Sequence, residues 1–155
     1  MTQEMTALKT AIIERFGTPC AVIDLDLVAR NIVTAQERCD AVGLANRPHI
    51  KTHKSPVLAN LQIKAGARGI TCQKLGEAEV MANAGITDII IATNLLGAAR
   101  SGRLAKLQRR LPLKVCADNT VSLSAYSQAA AQAGRPMDVL IECETGQKRA
   151  GVETP

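Results

Sequence analysis

After Gly17-Thr18-Pro19 the chain settles into an alternation of short apolar runs with longer amphipathic stretches, and this rhythm constrains the fold more than any single residue does. The short runs are strand candidates: Ala21–Asp24, Pro48–Thr52, Gly69–Cys72, Asp88–Ala92, Lys114–Ala117 and Asp138–Cys143. Between them lie helix candidates at Leu27–Val42, Ser55–Ala65, Leu75–Ala84, Ala98–Arg110 and Val121–Ala133. One run and one stretch together take about 20 to 30 residues, the spacing of βα units. Several stretches are followed closely by glycine, at Gly43, Gly66, Gly85 and Gly134, where a residue without Cβ can end a helix. An uninterrupted apolar run such as Ile89-Ile90-Ile91 belongs in a parallel sheet covered by helices on both sides. The class is α/β.

A doubly wound sheet and a TIM-type (β/α) barrel share this rhythm. Neither the glycine-rich dinucleotide loop nor the P-loop is present, which removes the most familiar phosphate-binding open sheets and favours a barrel. A complete barrel has eight repeats in about 250 residues. With 155 residues and six strand candidates, the chain is expected to be a partial barrel, truncated before closure, over residues 18–155, behind a lead-in helix over 1–17. An unclosed sheet would leave an edge and an apolar face open.

Composition narrows the function. The net charge of +5 would suit a polyanion, but the basic residues are scattered and almost no aromatic residues accompany them for base stacking, which argues against nucleic acid. The core is expected to be aliphatic, since the chain has one Phe, one Tyr and no Trp. Five cysteines, Cys20, Cys39, Cys72, Cys116 and Cys143, are odd in number and without a C-x-x-C pair, so neither a disulfide framework nor a zinc site is expected. Four of them fall in or directly beside strand-like runs, where a free thiol behaves as a small hydrophobe, and the implied setting is cytoplasmic. Met1 to Phe16 has neither a signal-peptide core nor a membrane span.

Against this background one run stands out. Arg47-Pro48-His49-Ile50-Lys51-Thr52-His53-Lys54 packs two histidines and three cations into eight residues. As a strand it would place Arg47, His49, Lys51 and His53 on one face and Pro48, Ile50 and Thr52 on the other. A solvated edge strand could carry such a face. In a barrel, however, reactive groups gather at the carboxyl ends of strands. Asp24, the 47–54 run, Gln73, Thr93-Asn94, Asp118 and residues 142–149 all fall at such ends. Burial of Lys51 among Arg47, His49, His53 and Lys54 would disfavour its ammonium form and make the amine nucleophilic, able to form a Schiff base with a carbonyl. Asp118 reads as a cap for the helix after it, and Glu142 and Glu144 share a strand face from which they can neutralise nearby cations.

Four segments carry a resemblance to a known family. Thr18-Pro19-Cys20-Ala21-Val22-Ile23-Asp24-Leu25-Asp26 is similar to its opening strand, and the 47–54 run to its cofactor-lysine segment. Gly69-Ile70-Thr71-Cys72-Gln73-Lys74-Leu75-Gly76-Glu77-Ala78 resembles the following strand and turn, and Glu142 to Val152 a later strand-end segment. The chain resembles the amino-terminal part of the D-threonine aldolase and D-serine dehydratase group, pyridoxal-phosphate enzymes with the alanine-racemase type of barrel. The resemblance implies that Lys51 carries pyridoxal 5'-phosphate as a Schiff base, flanked by His49 and His53, which tune it or move protons. It implies that Arg149 binds the cofactor's phenolic oxygen and that Gln73 helps to orient the ring. Lys148 stands where many relatives have a glycine before that arginine. The implied activity is that of a lyase, cleaving D-3-hydroxy amino acids in a retro-aldol reaction. Dehydration of D-serine, racemisation, non-catalytic carriage of the cofactor and an inactive truncated product stay open as alternatives. Relatives bear a carboxyl-terminal β domain with the ligands of a divalent metal, so a metal is expected only in the complete protein. They are commonly dimers, and a homodimer acting on a small D-amino acid is the expectation here.

Overall fold

The computed structural model describes residues 3–154. The chain divides into two units, 1–31 and 32–155, with the boundary inside the second helix. The first unit holds α1 (Gln3–Phe16) and the beginning of α2 (Leu25–Asp40). Ala21–Asp24, expected as the first strand, is not one. Asp24 serves the helix instead: its Oδ1 accepts the Leu27 N–H at 2.9 Å. A cap of this kind satisfies one of the orphan donors of the first turn, and it draws the helix start back from Leu27 to Leu25. Val22 and Ile23 stay exposed.

The second unit continues with α3 (Pro56–Lys64), β1 (Ile70–Cys72), α4 (Leu75–Asn83), β2 (Ile89–Ile91), α5 (Ala98–Arg110), β3 (Leu113–Ala117), α6 (Thr120–Ala133) and β4 (Asp138–Ile141). All strand pairs are parallel and the sheet order is β1-β2-β3-β4. Each strand therefore lies beside its successor, without the reversal of order that defines a doubly wound sheet. The architecture is a partial (β/α) barrel.

Register explains which residues make the core. Ile70, Ile89 and Leu113 stand side by side, as do Cys72, Ile91 and Val115, and all six are buried. They pack with Leu75, Met81, Leu104, Leu107 and Ala129 into one aliphatic cluster whose only aromatic member is Tyr126. Thr71, Ile90 and Lys114 alternate with them and are half-buried. The expected cover on both faces is thus not what forms: one face is packed and the other half-open, as on the inside of a barrel. Every residue of β4 is exposed.

Pro48–Thr52 is not a strand either. A single bridge joins His49 to Thr71, with the Ile50 N–H on the Thr71 carbonyl at 2.9 Å. The chain then turns, and the Lys54 N–H reaches back to the Ile50 carbonyl at 2.8 Å. Both histidines favour this turn over a ladder. His49 Nδ1 accepts the Lys51 N–H at 3.2 Å and His53 Nδ1 the Ser55 N–H at 3.0 Å, local bonds that compete with strand pairing. Arg47, His49, Lys51 and His53 therefore do not share a strand face. Among the described residues no helix is long and apolar enough to cross a membrane.

Candidate functional site

At the carboxyl ends of the strands lies a hollow of about 240 Å³ lined by His49, Lys51, Glu142, Cys143, Glu144 and Arg149, among others. Its polar lining comes from two segments almost a hundred residues apart in sequence, and each is held by identifiable bonds.

Lys51 sits on the turn that follows the His49 bridge, and it is exposed. The crowded setting expected for it, buried among Arg47, His49, His53 and Lys54, does not form. Arg47 is engaged elsewhere, by Asp88 just before β2, whose two carboxylate oxygens accept its guanidinium at 2.9 and 2.8 Å. Lys114 joins the same carboxylate at 2.9 Å, so this is an ion network at the amino ends of the strands. Lys54 pairs with Glu77 at 3.4 Å. His49 does stay beside Lys51. Burial, and then the Lys51 charge, hold its imidazolium form below the usual histidine range, against the opposing pull of Glu77 and of the Thr71 backbone. With Nδ1 accepting the Lys51 N–H, the neutral ring carries its proton on Nε2.

Arg149 belongs to a loop closed on itself. β4 ends at Ile141, and Glu142 N–H still reaches the Ala117 carbonyl at 2.9 Å. Beyond it, Glu144 N–H donates to Val152 and Val152 N–H to Glu142, both at 2.9 Å, around a Cys143–Val152 bridge. Inside the loop the Glu144 carboxylate accepts the N–H groups of Gly146 and, at 3.0 Å, Arg149. The N–H groups of Lys148 and Gly146 first, then those of Arg149 and Gln147, hold its carboxyl below the usual range. Glu144 thus fills a nest of backbone donors instead of neutralising side-chain cations from a strand face. At Gly151 the loop crosses itself: φ is +106°, and a Cβ there would stand 2.5 Å from Glu144 N, so only glycine fits. The Arg149 guanidinium makes no ion pair among the described residues, where the pairs engage Arg47, Lys54, Arg103 and Lys114.

Asp118 does not cap α6. Asn119 does, accepting the Ser122 N–H at 2.9 Å. Asp118 takes the Asn94 amide at 2.6 Å and the Gly151 N–H at 3.1 Å. Bonds from Gly151, Asn119 and Asn94 lower its carboxyl pKa.

The hollow brings His49, Lys51 and Arg149 together. Gln73 lines a separate hollow of about 540 Å³, with Lys54, Glu77, Thr93 and Asn94. Its carbonyl accepts the Thr93 hydroxyl at 2.5 Å. His53 lies outside both, with Nε2 enclosed and without a hydrogen-bond partner among the described residues. Of the cysteines, only Cys72 and Cys116 lie in strands, and Cys20 and Cys143 are exposed. Burial pushes the Cys72 thiol up to about 12. Among the described residues no group of three or more His, Cys, Asp or Glu could hold a metal ion. The sequence reading passed over Glu77, although its place three residues into a helix is where a capping carboxylate belongs.

Residues 23–155 match the family described as alanine racemase, N-terminal domain. A D-threonine aldolase of Arthrobacter sp is 44% identical over 138 residues, which cover 89% of this chain and 36% of that relative. A D-threo-3-hydroxyaspartate dehydratase of Delftia sp. (strain HT23) is 41% identical over 135 residues, 87% of this chain and 36% of the relative. The crystal structure of D-threonine aldolase from Filomicrobium marinum matches with a TM-score of 0.85 at 40% identity, covering 88% of this chain and 37% of that one. The chain thus spans a little over a third of the length of these relatives.

Proposed function

The chain belongs to the alanine racemase N-terminal domain family, and from that premise we propose that it is the part of a pyridoxal-phosphate lyase that carries the cofactor lysine, Lys51. Its relatives by name are lyases, aldolases and dehydratases of D-threonine, hydroxyaspartate and D-serine. The observation that carries the reading is the meeting of Lys51, His49 and Arg149 in one hollow.

The donor set fits the cofactor. An exposed primary amine suits an aldehyde, and a guanidinium without an ion pair among the described residues suits an anionic ring oxygen. Lys51 would hold the cofactor covalently, and Arg149 would bind its phenolic oxygen through a charge-assisted hydrogen bond. When bound, pyridoxal phosphate supplies an electron sink for the bond broken at the substrate α-carbon. His49, kept neutral by burial and by Lys51, anchors the lysine's backbone through Nδ1 and holds a proton at Nε2. The Glu144 nest and the Asp118–Gly151 bond fix the Arg149 loop, so that binding does not have to order it.

For the complete enzyme we propose retro-aldol cleavage of D-3-hydroxy amino acids, in which the Cα–Cβ bond breaks, the β-hydroxyl gives up its proton and Cα takes one up, leaving an aldehyde and glycine. The 41% identity to a dehydratase supports a second reading, elimination of the β-hydroxyl as water. The products separate the two, glycine and aldehyde against a keto acid and ammonia.

Titration of the chain with pyridoxal phosphate, followed by borohydride reduction and peptide mapping, tests the cofactor site. The expected result is a long-wavelength absorbance band and an adduct confined to Lys51, both lost in Lys51→Ala. Labelling spread evenly over the surface lysines would overturn the assignment.

A further inference from the structure

One largely buried carboxylate outside the Lys51 hollow touches two parts of the chain at once, the start of its own helix and the segment that carries Lys51. Glu77, with a side chain only 9% exposed, accepts the Gln73 N–H at 2.8 Å and the Lys74 N–H at 3.3 Å, and stands 3.4 Å from Lys54 Nζ. Burial alone would raise its pKa, but the Gln73 and Lys74 N–H groups and Lys54 outweigh burial, so the net shift is downward and Glu77 is an anion at neutral pH.

The first two bonds cap α4. The contact with Lys54 is an ion pair without a hydrogen bond, is not needed for a cap, and leads into the segment that carries Lys51. Lys54 closes that segment: its N–H is on the Ile50 carbonyl at 2.8 Å and its φ is +51°, a left-handed conformation that a residue other than glycine keeps only when its surroundings hold it. The turn is therefore fixed at one end by Ile50, fully buried with its N–H on Thr71, and at the other by Lys54 on Glu77. Lys51 rides between these anchors, with an exposed side chain.

We infer that Glu77 is a positioning residue for Lys51: through Lys54 it fixes the turn over residues 50–54, and with it the presentation of the Lys51 amine to the hollow. The consequence for the site rests on Lys51 being the cofactor lysine. Glu77 also acts on His49, where its charge opposes the effects of burial and of Lys51. A purely structural carboxylate would serve α4 alone.

Two variants separate positioning from capping. Glu77→Gln keeps an acceptor oxygen for the cap and loses the charge that holds Lys54. Lys54→Met leaves the cap untouched. Three readouts are compared in the 155-residue chain: hydrogen exchange at the Lys54 amide, the rate of pyridoxal-phosphate labelling at Lys51 after borohydride reduction, and the melting temperature. Both variants should exchange the Lys54 amide faster and label Lys51 about two- to fivefold more slowly, the scale of a partly exposed ion pair. The double variant should be no worse than either single one, because both break the same link. Lys54→Met should melt close to the parent.

Unchanged Lys51 labelling in Lys54→Met, or losses that add in the double variant, would reduce Glu77 to a helix cap and overturn the inference. If the parent itself shows no preference for Lys51, it is the cofactor assignment that falls. Amide exchange at Lys54 then still decides whether Glu77 holds the turn.

Discussion

Asp118, at the end of β3, accepts the backbone N–H of Gly151 at 3.1 Å and so ties the sheet to the loop that carries Arg149. The same carboxylate takes the Asn94 amide at 2.6 Å, which joins the end of β2 to the link. Three chain segments distant in sequence thus meet on one side chain beside the candidate site.

Removal of that carboxylate should be felt in binding more than in folding, because the Arg149 loop keeps its Glu144 and Val152 bonds. Asp118→Ala is expected to weaken pyridoxal-phosphate binding about tenfold, the scale of one hydrogen bond to a charged group. Asp118→Asn, which keeps an acceptor, should fall between. Absorbance titration checks the affinities and thermal melting checks that the fold persists. A large drop in melting temperature with unaltered affinity would show that the link serves the sheet and not the loop.

Asp88 provides a pH test at the other end of the strands. Arg47 first, then Lys114, hold its carboxyl down to about 2, against an ordinary value of 3.8. A depressed carboxylate contributes stability that is fully present above its unfolded pKa and is lost as the pH falls through the folded one. Urea midpoints of the parent should therefore decline between about pH 4 and pH 2. Asp88→Asn should be less stable by about 1–2 kcal/mol at pH 7, the scale of a charge-assisted bond that is only partly shielded from water. Its midpoint should also depend less on pH in that window. Parallel acid curves for the two proteins would show that the network contributes nothing.

Much of the fold could be read before any coordinates, because helices announce themselves locally. Ala98–Arg110 ends where its periodicity ends, and Gly134, with φ of +66°, terminates α6 at the glycine the sequence offers. The sheet order was not legible, since strand neighbours are a property of the whole chain. Nor were the two segments that looked like strands and are not. In each, a short polar side chain bonds the backbone two or three residues away, Asp24 to Leu27 and His49 to Lys51, and no periodicity count sees such a bond. The same blindness misplaced Arg47 and Asp118. Their partners, Asp88 and Gly151, lie 41 and 33 residues away. The candidate residues His49, Lys51 and Arg149 were legible by type, and their convergence came only with the fold.

The cysteines supply a probe of the hollow that does not depend on turnover. Cys143 is exposed and lines the hollow with Lys51, whereas Cys72 is buried with its thiol pushed up to about 12. Thiolate is the reactive form, so iodoacetamide at pH 8 should modify Cys143 readily and Cys72 only after unfolding. Prior loading with pyridoxal phosphate should slow modification of Cys143 and leave Cys20, exposed in the first unit, at its original rate. Equal rates at Cys143 with and without the cofactor would place the cofactor outside this hollow.

Tyr126 is the residue on which the rigid base of the site can be tested with the least disturbance of shape. Its ring is buried to 1% exposure, its hydroxyl donates to the Cys116 carbonyl at 3.0 Å, and it accepts the Leu95 N–H at 3.0 Å. It therefore pins the turn after β2 to the end of β3, next to Asn94 and Asp118. Tyr126→Phe keeps the packing and strands one buried donor and one acceptor, at about 1–3 kcal/mol. In a chain of this size that corresponds to a melting temperature lower by several degrees, about 2–4 °C for each kcal/mol. Burial raises the phenol pKa above its ordinary 10.0, so the neutral form is favoured in the folded state. That contribution is complete below pH 10 and is lost as the pH rises through the folded value. The parent should accordingly lose stability above about pH 10, and the Phe variant should lack this component. An unchanged melting temperature, with the same alkaline decline in both proteins, would mean that water replaces the hydroxyl and that the turn is held by packing alone.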